Sequence, residues 1–274
     1  MKTIIVPTDF SAVSINALHY ALNMAKEIGA SVTLFHAYQI PVSFSEVPVV
    51  TITMEEMQSQ TDKKMNELKN SVEHISSGEV AIHVKNALGD TIEELENLCS
   101  AEDVFSVVMG TRGAGAMEVL FLGSTTLSAI NQLKVPVMII PPGATYRPIK
   151  KLGFACDYSQ VADSTPIREI RELCQTFRAE LKVLNVDYEN RKFTPEVPIS
   201  LTKVHELLDP LDPEYHFIDD PNVEDGINKF AETHGIDMLI TIPKKHRLLD
   251  NIFRKSHTRK LALHAHVPIV AIHE

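Results

Sequence analysis

MKTIIVPTDFS, residues Met1 to Ser11, and KKLGFACDYS, residues Lys150 to Ser159, follow one plan. In each, lysine leads into a short apolar run, an aspartate closes the run (Asp9, Asp157), and a serine stands two residues further on (Ser11, Ser159). A run of this kind reads as a strand buried on both faces, as in a parallel sheet. Ser11 is suited to cap the helix that follows, whose apolar positions Ala17, Ala21, Met24, Ala25 and Ile28 fall on one face.

Outward from Met1 the alternation continues. SVTLFHAY (Ser31–Tyr38) is a second strand, the polar stretch from Pro41 to Met54 separates it from a long amphipathic helix reaching Ile75, and VAIHVKNAL is a third strand. Thr91-Ile92-Glu93-Glu94 has the spacing of a capping box that starts another helix. VFSVVMG is the fourth strand, a helix starts at Ser124, and VPVMIIP is a short fifth strand. Strands alternating with helices predict an α/β doubly wound parallel sheet covered on both faces.

From Lys150 the events recur. LKVLNVDY echoes VTLFHAY, DMLITIP echoes FSVVMGT, and HVPIVAI repeats KVPVMII. A slide of 132 residues aligns Phe121 with Phe253, Ser124 with Ser256 and Thr126 with Thr258 without a gap. The chain is therefore expected to hold two tandem five-stranded domains, residues 1–143 and 149–274, joined where Gly, Pro and polar residues cluster between Gly143 and Pro148. The last strands, VPVMII and VPIVAI, are short, apolar and terminal. Unpaired edges of that kind invite association, so the two are expected to lie side by side.

Composition narrows the partners. The chain has 274 residues, 44% hydrophobic and 23% charged, with a net charge of −10. That balance argues against general nucleic-acid or anionic-membrane binding, which needs a basic face. No apolar run nears the roughly 18 residues of a membrane span, and Pro7 and Asp9 interrupt the N-terminus too early for a signal peptide, so no membrane insertion and a cytoplasmic location are expected. Cys99, Cys156 and Cys174 form no paired spacing and fit reduced structural thiols.

One segment concentrates backbone freedom. GTRGAGAMEVLFLGST, Gly110 to Thr125, holds four of the 11 glycines and ends in two hydroxyl residues. Ligands of open parallel sheets lie beyond the carboxyl ends of the strands, where Asp9 follows the first strand and Gly110 ends the fourth. If those strands are neighbours, their loops share one crevice. Gly110 and Gly113 would admit a ligand close to the backbone, and Gly123-Ser124-Thr125 would open a helix with N–H groups and hydroxyls suited to phosphate. Asp9, an acceptor only, suits ribose hydroxyls. A Walker A loop fails for want of a lysine, and a Rossmann fingerprint fails in both spacing and strand position.

What fits is G-x2-G-x9-G-[ST], with Gly110, Gly113, Gly123 and Ser124 in register behind VPTDFS. Here the chain resembles the universal stress protein family in its tandem form, closely over residues 1–142 and loosely beyond. The resemblance implies a Rossmann-like, adenine nucleotide alpha hydrolase-like fold with a five-stranded parallel sheet, ATP (or AMP or ADP, with Mg) as ligand, and domains pairing through their last strands, within a chain or in a homodimer. Carried over by position, Pro7 and Asp9 would line the nucleoside pocket, Ala37 would meet adenine through its backbone, and Met109 and Gly110 would flank the ribose. Thr111, Arg112, Gly113, Gly123, Ser124 and Thr125 would hold the phosphates.

The second half keeps the frame and loses the loop. Gly110 aligns with Ile242, Thr111 with Pro243, Gly113 with Lys245 and Gly123 with Lys255, leaving Ser256 alone in kind. Between Lys244 and Lys260 stand seven Lys or Arg against one acid, Asp250. This reads as a solvated face or a side-chain anion site. The histidines at 246, 257, 264, 266 and 273 have no helical metal spacing. No nucleophile stands with a base beside it, so the sequence implies ATP binding by the first domain, a degenerate second domain, and slow ATP hydrolysis at most. The alternative is a non-catalytic partner- or lipid-binding module with a vestigial nucleotide pocket.

Overall fold

The computed structural model describes residues 2–39, 53–111, 122–156, 166–188, 197–243, 261 and 266–273. Its first half runs β1 (Thr3–Pro7), α1 (Ala12–Ile28), β2 (Ser31–Tyr38), α2 (Met54–Val72), β3 (Ile82–Leu88), α3 (Thr91–Ala101), β4 (Val104–Gly110), α4 (Ser124–Gln132) and β5 (Val137–Ile140). The second runs β6 (Lys151–Ala155), α5 (Ile167–Phe177), β7 (Glu180–Val186), α6 (Val197–Leu208), β8 (Glu214–Ile218), α7 (Val223–His234), β9 (Met238–Thr241) and β10 (Ile269–Ala271).

All ten strands join one sheet in the order β3-β2-β1-β4-β5-β10-β9-β6-β7-β8. Within each half every pairing is parallel. The seam between the halves is the antiparallel pair β5–β10, Met138 opposite Val270, so the two terminal strands lie side by side as their apolar, terminal character predicts. Reading outward from the seam, β5-β4-β1-β2-β3 mirrors β10-β9-β6-β7-β8.

Each face of the sheet carries one apolar cluster, and both clusters cross the seam. One holds side chains of α1, α2 and α5 with Met138, Phe154 and Val270; the other holds those of α3, α4 and α7 with Val137, Leu239 and Ile269. Helix α1 shows how sequence makes this layer. Leu18, Leu22 and Met24 are wholly buried, each contributing about 1.5–3 kcal/mol of burial free energy. Ser11 caps its start by accepting the Ser14 N–H at 3.2 Å, and Gly29 ends it at φ 67°, a left-handed conformation suited to a residue without a Cβ. The cap of α3 differs from the sequence reading. Asp90, not Thr91, is its N-cap, accepting the amides of Ile92 and Glu93, because a carboxylate one residue earlier takes both free N–H groups at once.

The connection between halves is tied to α1. Asn16 Nδ2 donates to the carbonyls of Pro141 and Ala144, each at 3.3 Å, and the Tyr146 ring meets Tyr20 edge-on at 5.1 Å. Across the seam's neighbourhood Lys2 pairs with Glu172, and Phe105 meets Phe177 edge-on at 6.0 Å.

Candidate functional site

Strand β1 lies between β2 and β4, with α1 on one face of the sheet and α3 and α4 on the other. Chain direction on the two sides of β1 diverges here, which opens a crevice at the carboxyl ends of β1 and β4. Pro7 ends β1 and Asp9 follows it by two residues, Ala37 stands near the end of β2, and Met109 and Gly110 end β4 with Thr111 next. Pro7, Met109, Gly110 and Thr111 are buried, Ala37 is half-buried and Asp9 is exposed. Arg112 and Gly113 lie outside the described residues.

The start of α4 is drawn to the same place by two bonds. Gly123 N–H donates to the Thr111 carbonyl at 2.8 Å, and Thr126 Oγ1 donates to the Gly110 carbonyl at 3.0 Å in a buried position. Helix α4 thus starts beside the end of β4, with Ser124 and Thr125 exposed in its first turn. Gly123 is its N-cap at φ −57° and ψ 144°, no side chain among the described residues caps it, and no acidic residue occupies the first turn. An uncapped helix start without acid is an electropositive end with amide donors to spare. Thr111 Oγ1 is buried there without a hydrogen-bond partner among the described residues. Buried hydroxyls ordinarily find a partner, and a ligand oxygen supplies one. The donor set therefore fits phosphate.

The connection from β1 to α1 is a braced turn. Asp9 Oδ1 accepts the Ser11 N–H at 3.1 Å, and Phe10 N–H donates to Thr8 Oγ1 at 3.0 Å. Ser14 Oγ donates to the Ser11 carbonyl at 3.0 Å, which leaves Thr8 as the donor in the buried 3.0 Å contact between Thr8 Oγ1 and Ser14 Oγ. His36 Nδ1 lies 2.7 Å from the Thr8 carbonyl, and its ring is 4.8 Å from that of Phe10. Phe10 itself has φ 64°, a left-handed backbone rare for a bulky residue.

Glycine 110 has a structural reason of its own. A Cβ built there would fall 2.4 Å from Val13 Cγ1 and 2.9 Å from the Val13 carbonyl oxygen, so its lack of a side chain lets α1 descend onto β4. Val13, Thr8, Ser14, His36 and Thr126 are the residues to which sequence reasoning gave no part in the site. The signal for His36 was present: a polar residue just past the last buried position of β2, matched by Asn185 in β7.

In the second half, Ile242 occupies the position aligned with Gly110 and packs against the α1- and α5-side cluster. Asp157, Ser159 and the basic segment 244–260, including Lys245, Lys255 and Ser256, lie outside the described residues, as do His246, His257 and His264. His273 bonds the Ile130 carbonyl across the halves, and His266 Nε2 lies 3.6 Å from Glu232. Among the described residues no group of three or more His, Cys, Asp or Glu is placed to hold a metal ion, and no helix is long and apolar enough to cross a membrane.

Comparison with known proteins follows the same division. The model of the Universal stress protein family matches residues 1–141 and again 148–273. A universal stress protein of Methanocaldococcus jannaschii is 29% identical over 143 residues, covering 51% of this chain and 81% of that protein. Among solved structures, a universal stress protein from Archaeoglobus fulgidus DSM 4304 aligns with a TM-score of 0.74 at 18% identity, covering 99% of this chain and 98% of that one. A functionally unknown protein from Pseudomonas aeruginosa PAO1 aligns at 0.61 and 9% identity, covering 100% and 92%. Both share the ten-stranded architecture's fold.

Proposed function

The chain belongs to the universal stress protein family, in tandem form, and from that premise we propose that its first half binds an adenine nucleotide, ATP foremost, in the crevice between β1 and β4. One observation carries the reading: the uncapped, acid-free start of α4, with the buried Thr111 hydroxyl that has no partner among the described residues beside it, stands at the same carboxyl end of the sheet's strands as the Asp9 turn. Amide donors and hydroxyls take the phosphates, and a carboxylate takes ribose hydroxyls. Pro7, Ala37 and Met109 supply the walls of the nucleoside pocket, and Mg arrives with the phosphates, consistent with a nucleotide that usually carries it.

The protein on this reading is a cytoplasmic regulator that senses or holds ATP, with the domain of residues 1–143 as binder and that of 149–274 as pairing partner. Nothing in the crevice sets a nucleophile beside a base among the described residues, so binding rather than turnover is the activity put forward.

The test is calorimetric titration of the whole chain with ATP, repeated on Thr125→Glu. A glutamate in the first turn of α4 favours the helix dipole and repels phosphate, so stability and binding move in opposite directions. We expect wild type to bind and the variant to lose about tenfold or more in affinity with its melting temperature unchanged or raised. A wild-type chain that shows no heat with ATP, ADP or AMP would overturn the reading and favour a partner-binding module with a vestigial pocket.

A further inference from the structure

Between β1 and α1 the chain turns within a few residues, and Asp9 stands at the middle of the turn. The last ladder bond on this side is Thr8 N–H to the Phe35 carbonyl at 2.8 Å. The Thr8 carbonyl finds a side chain instead, His36 Nδ1 at 2.7 Å. A carbonyl only accepts, so Nδ1 carries the proton in this bond, whatever the state of Nε2. The same imidazole lies 4.8 Å from the Phe10 ring at an interplanar angle of 53°. His36 therefore holds the residue before Asp9 through its carbonyl and the residue after it through its ring.

The second half repeats the bond with a different residue. Cys156 N–H donates to the Leu184 carbonyl at 2.8 Å, and Asn185 Nδ2 donates to the Cys156 carbonyl at 3.0 Å. Cys156 matches Thr8, and Asn185 matches His36, in the mirrored strands β6 and β7. His Nδ1 and Asn Nδ2 stand the same number of bonds from Cβ. What the position requires is an N–H donor at that reach, not the acid–base chemistry of an imidazole.

We propose that His36 is a positioning residue for nucleotide binding: by tying down the Thr8 carbonyl and bracing Phe10 it fixes Asp9 toward the ribose without touching the nucleotide itself. The inference rests on the adenine-nucleotide reading above for its ligand, and on the two mirrored carbonyl bonds for its geometry. Asn185 performs the same backbone service in the other half.

The experiment compares wild type, His36→Leu, His36→Ala and His36→Asn in the full chain, each titrated with ATP and followed by amide hydrogen exchange over residues 7–14. Leu and Ala remove the donor, and Ala serves should Leu disturb packing; Asn supplies the donor that Asn185 already shows to work. Affinity should fall about tenfold in Leu and Ala and return to within about threefold of wild type in Asn, while exchange at the Phe10 and Ser11 amides rises in the first two and not in the third. A histidine that acts only by filling space with its ring would give no recovery by Asn. Unchanged ATP affinity in His36→Leu and His36→Ala, or failure of Asn to restore it, overturns the proposal. If wild type binds no ATP, the nucleotide reading falls separately and exchange decides the clamp: no acceleration in Leu and Ala overturns it, and acceleration reversed by Asn supports it.

Discussion

Val13 of α1 and Gly110 of β4 touch so closely that a methyl group on the glycine would fall 2.4 Å from Val13 Cγ1. The contact sets the height of the α1 start above the sheet, and with it the place of Ser11 and Asp9. Overpacking of a built core costs about 1–3 kcal/mol, and valine has little rotamer freedom with which to yield. Gly110→Ala should lower the unfolding free energy, read from urea titration, by that amount. Val13→Ala should recover part of the loss in the double variant, leaving the 2.9 Å approach to the Val13 carbonyl oxygen. Equal and additive losses in a double-mutant cycle would show that the two residues do not share one contact.

Met138 and Val270 face each other across the β5–β10 seam, and neither exposes any surface. Because both apolar clusters run through the seam, the halves should unfold in one calorimetric transition. Met138→Ala should cost about 2–5 kcal/mol without splitting it. Val270→Asp buries a charge with no partner in a row of apolar residues and should separate the halves into two transitions. Two resolved transitions in wild type would contradict a shared core.

Most strands were legible because they are short apolar runs bounded by turn residues, and the seam because VPVMII and VPIVAI are apolar, short and terminal. Strand β8, Glu214–Ile218, alternates polar and apolar residues at the sheet edge and offered no such run. Contacts between distant residues were not legible. Gly110 reads as a ligand glycine in sequence, and only packing reveals Val13 beneath it. Thr91 looked like a cap because Glu94 follows at capping-box spacing, yet Asp90 wins by accepting two amides. His36 carries no ligand signature in the sequence because its partner is a backbone carbonyl, which has no sequence identity.

Acid should loosen the second half. His216 sits among Phe230 (ring centroids 4.6 Å apart), His234 (5.7 Å), Glu214 (3.5 Å) and the nearby Lys182 ammonium. Burial, with help from His234 and Lys182 and against the pull of Glu214, holds its pKa below the ordinary 6.5. The unfolded chain then takes up the proton first. The stabilisation is complete above pH 6.5 and is lost as the pH falls through the lowered folded value. His216→Phe keeps an aromatic ring without a proton to gain, so its urea midpoint should fall less than that of wild type between pH 7.5 and 5. His19, lowered by burial and by His74, remains in both proteins and cancels in the comparison. Parallel pH curves for the two proteins would remove His216 from the account.

One ATP per chain is the expected stoichiometry, because the two halves differ where the crevice is built. In the first, Gly110 admits Val13, and α1 begins at Ala12, three residues after Asp9. In the second, Ile242 takes the glycine's place and packs half-buried against the core. Lys245 and Lys255 could draw an anion by charge, but such binding weakens with salt far more than a cradle of backbone amides does. Titration in about 0.15 M salt should therefore saturate at one equivalent, and Thr125→Glu should weaken that single event. A stoichiometry of two, with one site of undiminished affinity left in Thr125→Glu, would place a working nucleotide site in the second half and refute the asymmetry.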